Sequence, residues 1–177
     1  THDGAGKAKR LVVDAAVIGK VTAVDQAAGT LQIAGQSVQI NTNADVGMLT
    51  QFGGYDATPQ GRYAGLADVQ INDLAEVHGS PVLLGNQWVV RATRIDKRNE
   101  IGPVRVVGVA ANLVNTTEAK TFQVGGLTVD YSAALLAGKV RPLSRLAEGA
   151  VVQVHGDASG VVRSEEHTSE LQSRETI

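Results

Sequence analysis

The residues that could do chemistry in this chain are two histidines, a few clustered carboxylates and a small set of aromatics. His78 and His155 sit in the matching phrases EVHG and QVHG, a recurrence that a metal ligand would leave. A protein metal site needs several His, Cys or carboxylate ligands at suitable spacing, and each of these histidines stands alone. Both are read as solvated strand-end residues. Asp68, Asp73 and Glu76 lie close together, but they lack the glycine and the spacing of a calcium loop. Asp25 and Asp96 suit turn capping, in which a short carboxylate accepts from nearby backbone N–H groups. No Ser, His and Asp set stands in a nucleophile context. The many glycines fall in hairpin turns, not in a strand-to-helix GxGxxG or a phosphate loop. The expectation is therefore no catalytic residue, no metal ligand and no cofactor: the chain is not an enzyme.

Binding chemistry has the better claim. Phe52, Tyr55 and Tyr63 are half of the chain's six aromatics, and all lie in the glycine-containing stretch VGMLTQFGGYDATPQGRYAG, Val46 to Gly65. Long loops on a rigid scaffold are where binding residues concentrate. With Trp88, these three are the candidate ligand-binding residues. The competing reading makes Phe52 and Tyr55 plugs that fill one end of their own domain.

The elements that must position them are strands. Leu31, Ile33, Val38 and Ile40 alternate on either side of a small turn at Ala34 to Gln36, the pattern of a tight hairpin. Phe122, Val124, Leu127 and Val129 do the same around Gly125 and Gly126. Asp25 to Gly29 make another connection of hairpin length. The phrases IGKVTAV, GTLQIAGQSVQI, LADVQINDLAEVHG and WVVRATRID recur in order as VGVAANL, KTFQVGGLTVDY, LSRLAEGAVVQVHG and VVR. Such a repeat fixes the structural unit. Copies this short are too small for a roomy sandwich, and closing a sheet removes its exposed edges. The expected fold class is all-β, two tandem small five-stranded barrels of OB-like type, the second truncated because ATRID does not follow VVR. Residues 15–100 form the first module and 101–163 the incomplete second. Residues 1–14 are either the close of a preceding module, since AKRLVVD parallels RATRID, or a leading strand. Between Tyr131 and Leu143 the second copy has SAALLAGKVRP, where Ala133 to Leu136 suit one helical turn ended by Gly138 and Pro142.

The run RSEEHTSELQS, Arg163 to Ser173, resembles the translation of a widely used short-read sequencing adapter. Residues 164–177 are accordingly read as a non-native tail and left out of fold reasoning. The whole chain carries 16 basic and 18 acidic residues. Without Arg174, Glu165, Glu166, Glu170 and Glu175 it carries 15 and 14, a net charge near +1. Phosphate contacts dominate nucleic-acid affinity, and KAKR at Lys7 to Arg10 is the densest basic run, so nucleic acid is an unlikely partner. Cysteine is absent, which removes disulfides and thiolate metal sites. No segment approaches the roughly eighteen apolar residues of a membrane-spanning helix.

GKVTAVDQAAGTLQIAGQSVQI, LADVQINDLAEVHG and VVRATRID resemble the bacterial family called domain of unknown function 5666, over nearly all of Ile18 to Arg163. That resemblance implies small barrels of oligonucleotide/oligosaccharide-binding type strung in tandem, and a periplasmic, cell-surface or secreted setting. It implies no activity and no catalytic residues. The function expected is a noncatalytic binding or adhesion module for a glycan, a peptide or an envelope protein. A structural spacer in a longer array is the alternative, and a single-strand nucleic-acid binder a weaker one, because such binders need stacking aromatics in a basic groove.

Overall fold

A computed structural model describes residues 14–100, 102–134, 146–156 and 162–163. Among the described residues the protein is all-β. Its strands are β1 (Val17–Asp25), β2 (Thr30–Ile33), β3 (Gln36–Ile40), β4 (Gln51–Gly54), β5 (Leu74–Leu84), β6 (Gln87–Arg98), β7 (Val104–Asn115), β8 (Lys120–Val124), β9 (Leu127–Asp130), β10 (Val151–Gly156) and β11 (Val162–Arg163). Two short 3-10 turns, Ala44–Val46 and Leu66–Asp68, interrupt the β pattern. Among the described residues, no helix is long and apolar enough to cross a membrane.

Five strands of the first half, β1, β2, β3, β5 and β6, close on themselves. β1 pairs with β2, β2 with β3, β6 with β5, and β5 with β1, all antiparallel. β3 and β6 close the cycle in parallel, Val38 opposite Val90 and Ile40 opposite Ala92. The result is a sheet ring. β1 takes part on two sides because it bends: Val17 to Lys20 face β5, and Val21 to Asp25 face β2 across a bulge between Val21 and Ala23. Bulges bend a strand and tighten its twist, which lets so short a ring close. A second irregularity opposes His78 and Gly79 to Arg94 and Ala92. It explains why β6 buries Val90 and Ala92 and then Ile95, breaking strict alternation.

Within the ring lie Val17, Val21, Leu31, Ile33, Val38, Ile40, Tyr63, Ala75, Val77, Val90, Ala92 and Ile95, with Phe52 packed against them. Fully burying such aliphatic side chains stabilises by roughly 1.5–3 kcal/mol each. All four alternating residues of the β2–β3 hairpin point inward. Its two-residue turn places Ala34 and Gly35 at φ 48° and 71°, the left-handed pair that a type I′ hairpin turn requires.

Among the described residues from Val104 onward, four of the five pairings of the ring recur, the pair of β10 with β11 not being among them. β7 pairs with β8 across a bulge between Ala111 and Val114, β8 with β9, and β10 with β7, all antiparallel. β11 runs parallel to β9, as β6 does to β3. A second core gathers Val104, Val106, Phe122, Val124, Leu127, Val129, Tyr131 and Val154. β11 spans only Val162–Arg163. AKRLVVD up to residue 13, the second half of the helical turn expected over Ala133 to Leu136, and the tail 164–177 lie outside the described residues.

One element departs from the sequence reading. Val46 to Gly65 contains a strand, β4, which lies parallel to the second half of β6, Gln51 opposite Arg94 and Gly54 opposite Lys97. β6 is long enough to hold β3 along its first half and β4 along its second.

Candidate functional site

β4, β5 and β6 frame a shallow, open groove of about 380 Å³, lined by Gly54, Tyr55, Glu76, Arg94, Asp96, Lys97, Arg98 and Asn99. Strand geometry decides which side chains reach it. Residues two apart share a face of a strand, so Arg94, Asp96 and Arg98 of β6 project together, and Glu76 lies opposite Asp96 in the antiparallel register.

These groups bind one another in a definite pattern. Arg94 donates through Nε and Nη2 to the two carboxylate oxygens of Asp96, at 2.6 and 2.7 Å. That bidentate bond holds the Arg94 guanidinium above its ordinary pKa. Arg98 donates to Glu76, whose other oxygen lies 3.2 Å from His78 Nε2. Lys97 Nζ lies 3.6 Å from Asp73 and 5.6 Å from the centre of the Tyr63 ring. Each of the three cations lining the groove is thus matched by a carboxylate. Arg94 is 46% exposed, and exposed ion pairs contribute only about 0–1 kcal/mol. The Arg94–Asp96 pair therefore does little for stability; the effect of the network is to fix planar guanidinium and carboxylate edges at the groove surface.

The four aromatic candidates separate. Tyr55 is 47% exposed and stands at the groove. Phe52, on β4, is half-buried against the first core. Tyr63 is fully buried, and its hydroxyl donates to Asp73 Oδ2 at 3.1 Å. Burial first, then the Asp73 charge and hydrogen bond, push its pKa far above the ordinary tyrosine value. Trp88 is 43% exposed opposite Leu83 near the β5–β6 turn and does not line the groove. Of the four, the structure brings only Tyr55 there.

Asp25 accepts from the Ala28 N–H at 2.9 Å, capping its turn as expected. Asp96 does not cap a turn: it lies inside β6 and pairs with Arg94. His78 is not a solvated residue, since it lies against Glu76 with its Nδ1 buried and without a partner. Asp68 accepts from the Ala64 N–H at 2.7 Å, and Asp73 from the Gln70 N–H at 3.0 Å. Among the described residues, no group of three or more His, Asp or Glu is placed to hold a metal ion.

The groove's polar residues escaped the sequence reading, although a signal was there. Arg94, Asp96 and Arg98 occupy alternate positions of a strand, which places them on one face. What the sequence does not display is the parallel register that lays β4 beside them. Compared with protein-family models, curated proteins and solved structures, the chain matches none.

Proposed function

We propose that this chain is a noncatalytic binding protein built of two tandem small OB-like barrels, and that it holds a polar, sugar-like ligand in the groove over β4, β5 and β6. The observation that carries the reading is a groove with internally neutralised charges beside a half-exposed tyrosine. A sugar presents hydroxyls that bridge guanidinium and carboxylate edges, and a C–H face that packs on an aromatic ring. A phosphate-bearing ligand would need cations left unmatched, so nucleic acid fits this surface poorly.

The OB-like assignment is supported by the first ring's strand cycle, closed by a parallel pair between its third and last members. The resemblance to domain of unknown function 5666 supports a periplasmic, cell-surface or secreted setting. The spacer reading draws on a different observation: Tyr63 and Phe52 serve the core, so the aromatic segment is partly structural.

A glycan array probed with the full chain and with Tyr55→Ala tests the proposal. Point substitution is preferable to removing Val46–Gly65, because that segment carries β4, Thr50 and Tyr63. Binding is expected for the unaltered chain and is expected to fall at least tenfold in Tyr55→Ala with unchanged thermal stability. Equal binding by both would remove the groove from the argument, and no binding by either would favour the spacer.

A further inference from the structure

The two copies meet across a local two-fold axis. β1 and β7 pair antiparallel, Val17 opposite Val106 and Ile18 opposite Arg105. Alignment of IGKVTAV with VGVAANL makes Val17 and Val106 counterparts, so a residue faces its own equivalent. The hairpin turns do the same: Gly126 N–H donates to Gly35 O at 2.7 Å, and these glycines correspond in GTLQIAGQSVQI and KTFQVGGLTVDY. Ala34 packs against both cores. A two-fold contact is isologous, using the same patch on both sides, and by backbone geometry alone either copy could pair with its own kind.

The side chains forbid that. Gln36 is only 5% exposed, and its Nε2 donates to Val124 O across the interface at 2.6 Å. Its amide lies over Gly125, where a Cβ would stand 2.7 Å from Oε1 and 3.0 Å from Nε2. Retreat of the amide would give up the bond to Val124 O inside a buried contact. The first copy has Ala34 at the position of Gly125, at φ 48°, so alanine can occupy this turn at the cost of left-handed backbone strain, and at 125, where φ is 56°, the amide is a second obstacle added to that strain. Two first copies would set Ala34 against Gln36. Two second copies would have Leu127 in place of Gln36 and no donor for the carbonyl.

We infer that Gln36 and Gly125 are the specificity-determining residues of a pairing surface whose partner is the opposite type of module. A unit with Ala-Gly-Gln at its turn accepts one with Gly-Gly-Leu and rejects its own copy, within one chain or between two copies of this chain. The inference rests on reading the two copies as equivalent units.

Amide hydrogen exchange on the full chain tests it. The amides of Gly126 and Val107 donate across the interface, to Gly35 O and Ala16 O. In Gly125→Ala their exchange is expected to accelerate about tenfold, the equilibrium equivalent of losing one buried hydrogen bond, while amides of the first ring keep their rates. Gln36→Ala is expected to accelerate them too, and adding Gly125→Ala to it is expected to cost clearly less than Gly125→Ala costs alone, because only the backbone strain at 125 remains. A chain with the turns exchanged (Ala34→Gly, Gln36→Leu, Gly125→Ala, Leu127→Gln) is expected to regain protection. Multiplying, independent effects of the two single substitutions overturn the inference. So does an exchanged chain as fast as Gly125→Ala; if coupling persists in that case, the fault lies in the equivalence of the two copies.

Discussion

Thr50 holds the point at which β6 changes its parallel partner from β3 to β4. It is buried, its Oγ1 donates to Ala92 O at 2.7 Å and accepts from Asn41 N–H at 2.9 Å, and its own N–H donates to Asn41 O at 2.9 Å. Thr50→Val keeps the shape and removes the hydroxyl, leaving the Asn41 N–H and the Ala92 carbonyl without that partner. Each buried polar group so abandoned costs about 1–3 kcal/mol. Asn41 is only half-buried, so the expected total is about 2–4 kcal/mol. With urea slopes of about 1–3 kcal/mol per molar, the midpoint should fall by roughly 1–2 M. Thr50→Ser keeps the hydroxyl and drops one methyl, for about 0.8 kcal/mol. Urea unfolding followed by the fluorescence of Trp88, the chain's only tryptophan and a member of β6, compares the two. A Thr50→Val loss no greater than that of Thr50→Ser would refute the clasp.

Alkaline unfolding reads Tyr63. Its folded pKa is raised, so above about pH 10 the unfolded chain releases a proton that the folded chain keeps, and stability falls by up to about 1.4 kcal/mol per pH unit. Below that pH the group adds no slope. Tyr63→Phe should reduce the decline between about pH 10 and 11, leaving the smaller part due to Tyr131, whose pKa burial also raises; an unchanged decline would show that Tyr63 ionises freely in the fold. Opposite the bulge of β6, where Thr93 is the extra residue, a Cβ on Gly79 would lie 2.2 Å from Arg91 O. Since that neighbour is backbone, Gly79→Ala is expected to cost about 3 kcal/mol, measured by thermal denaturation, and a loss below about 1 kcal/mol would mean that the strands reseat easily.

The parts of the fold legible in the sequence are those governed by neighbours along the chain. Leu31, Ile33, Val38 and Ile40 alternate about a turn, and the structure buries all of them; Phe122, Val124, Leu127 and Val129 behave alike. β4 was not legible because Gln51–Gly54 has no apolar alternation, and its place depends on a parallel partner some forty residues away. β5 runs past the glycine of EVHG, through Pro81 to Leu84, an extent that no alternation of Gly79, Ser80 and Pro81 displays. It does so beyond the stretch paired with β1, where a free edge tolerates proline. The site divides in the same way. Tyr55 could be chosen for its residue type, whereas Glu76 reaches Arg98 only through a register that no local pattern encodes.

The ring closes on its last-made member. β6 pairs with β3, β4 and β5, so none of these three strands has its full set of neighbours until residue 98 has left the ribosome. At about 5–20 residues per second, β1, β2 and β3 wait for seconds as a hairpin assembly with open edges. Pairings such as Val38 with Val90 then have to be found over a long stretch of chain, the circumstance that slows folding. Synthesis of this protein thus includes an interval in which its stickiest strands are finished and uncovered, and the arrival of a single segment ends it.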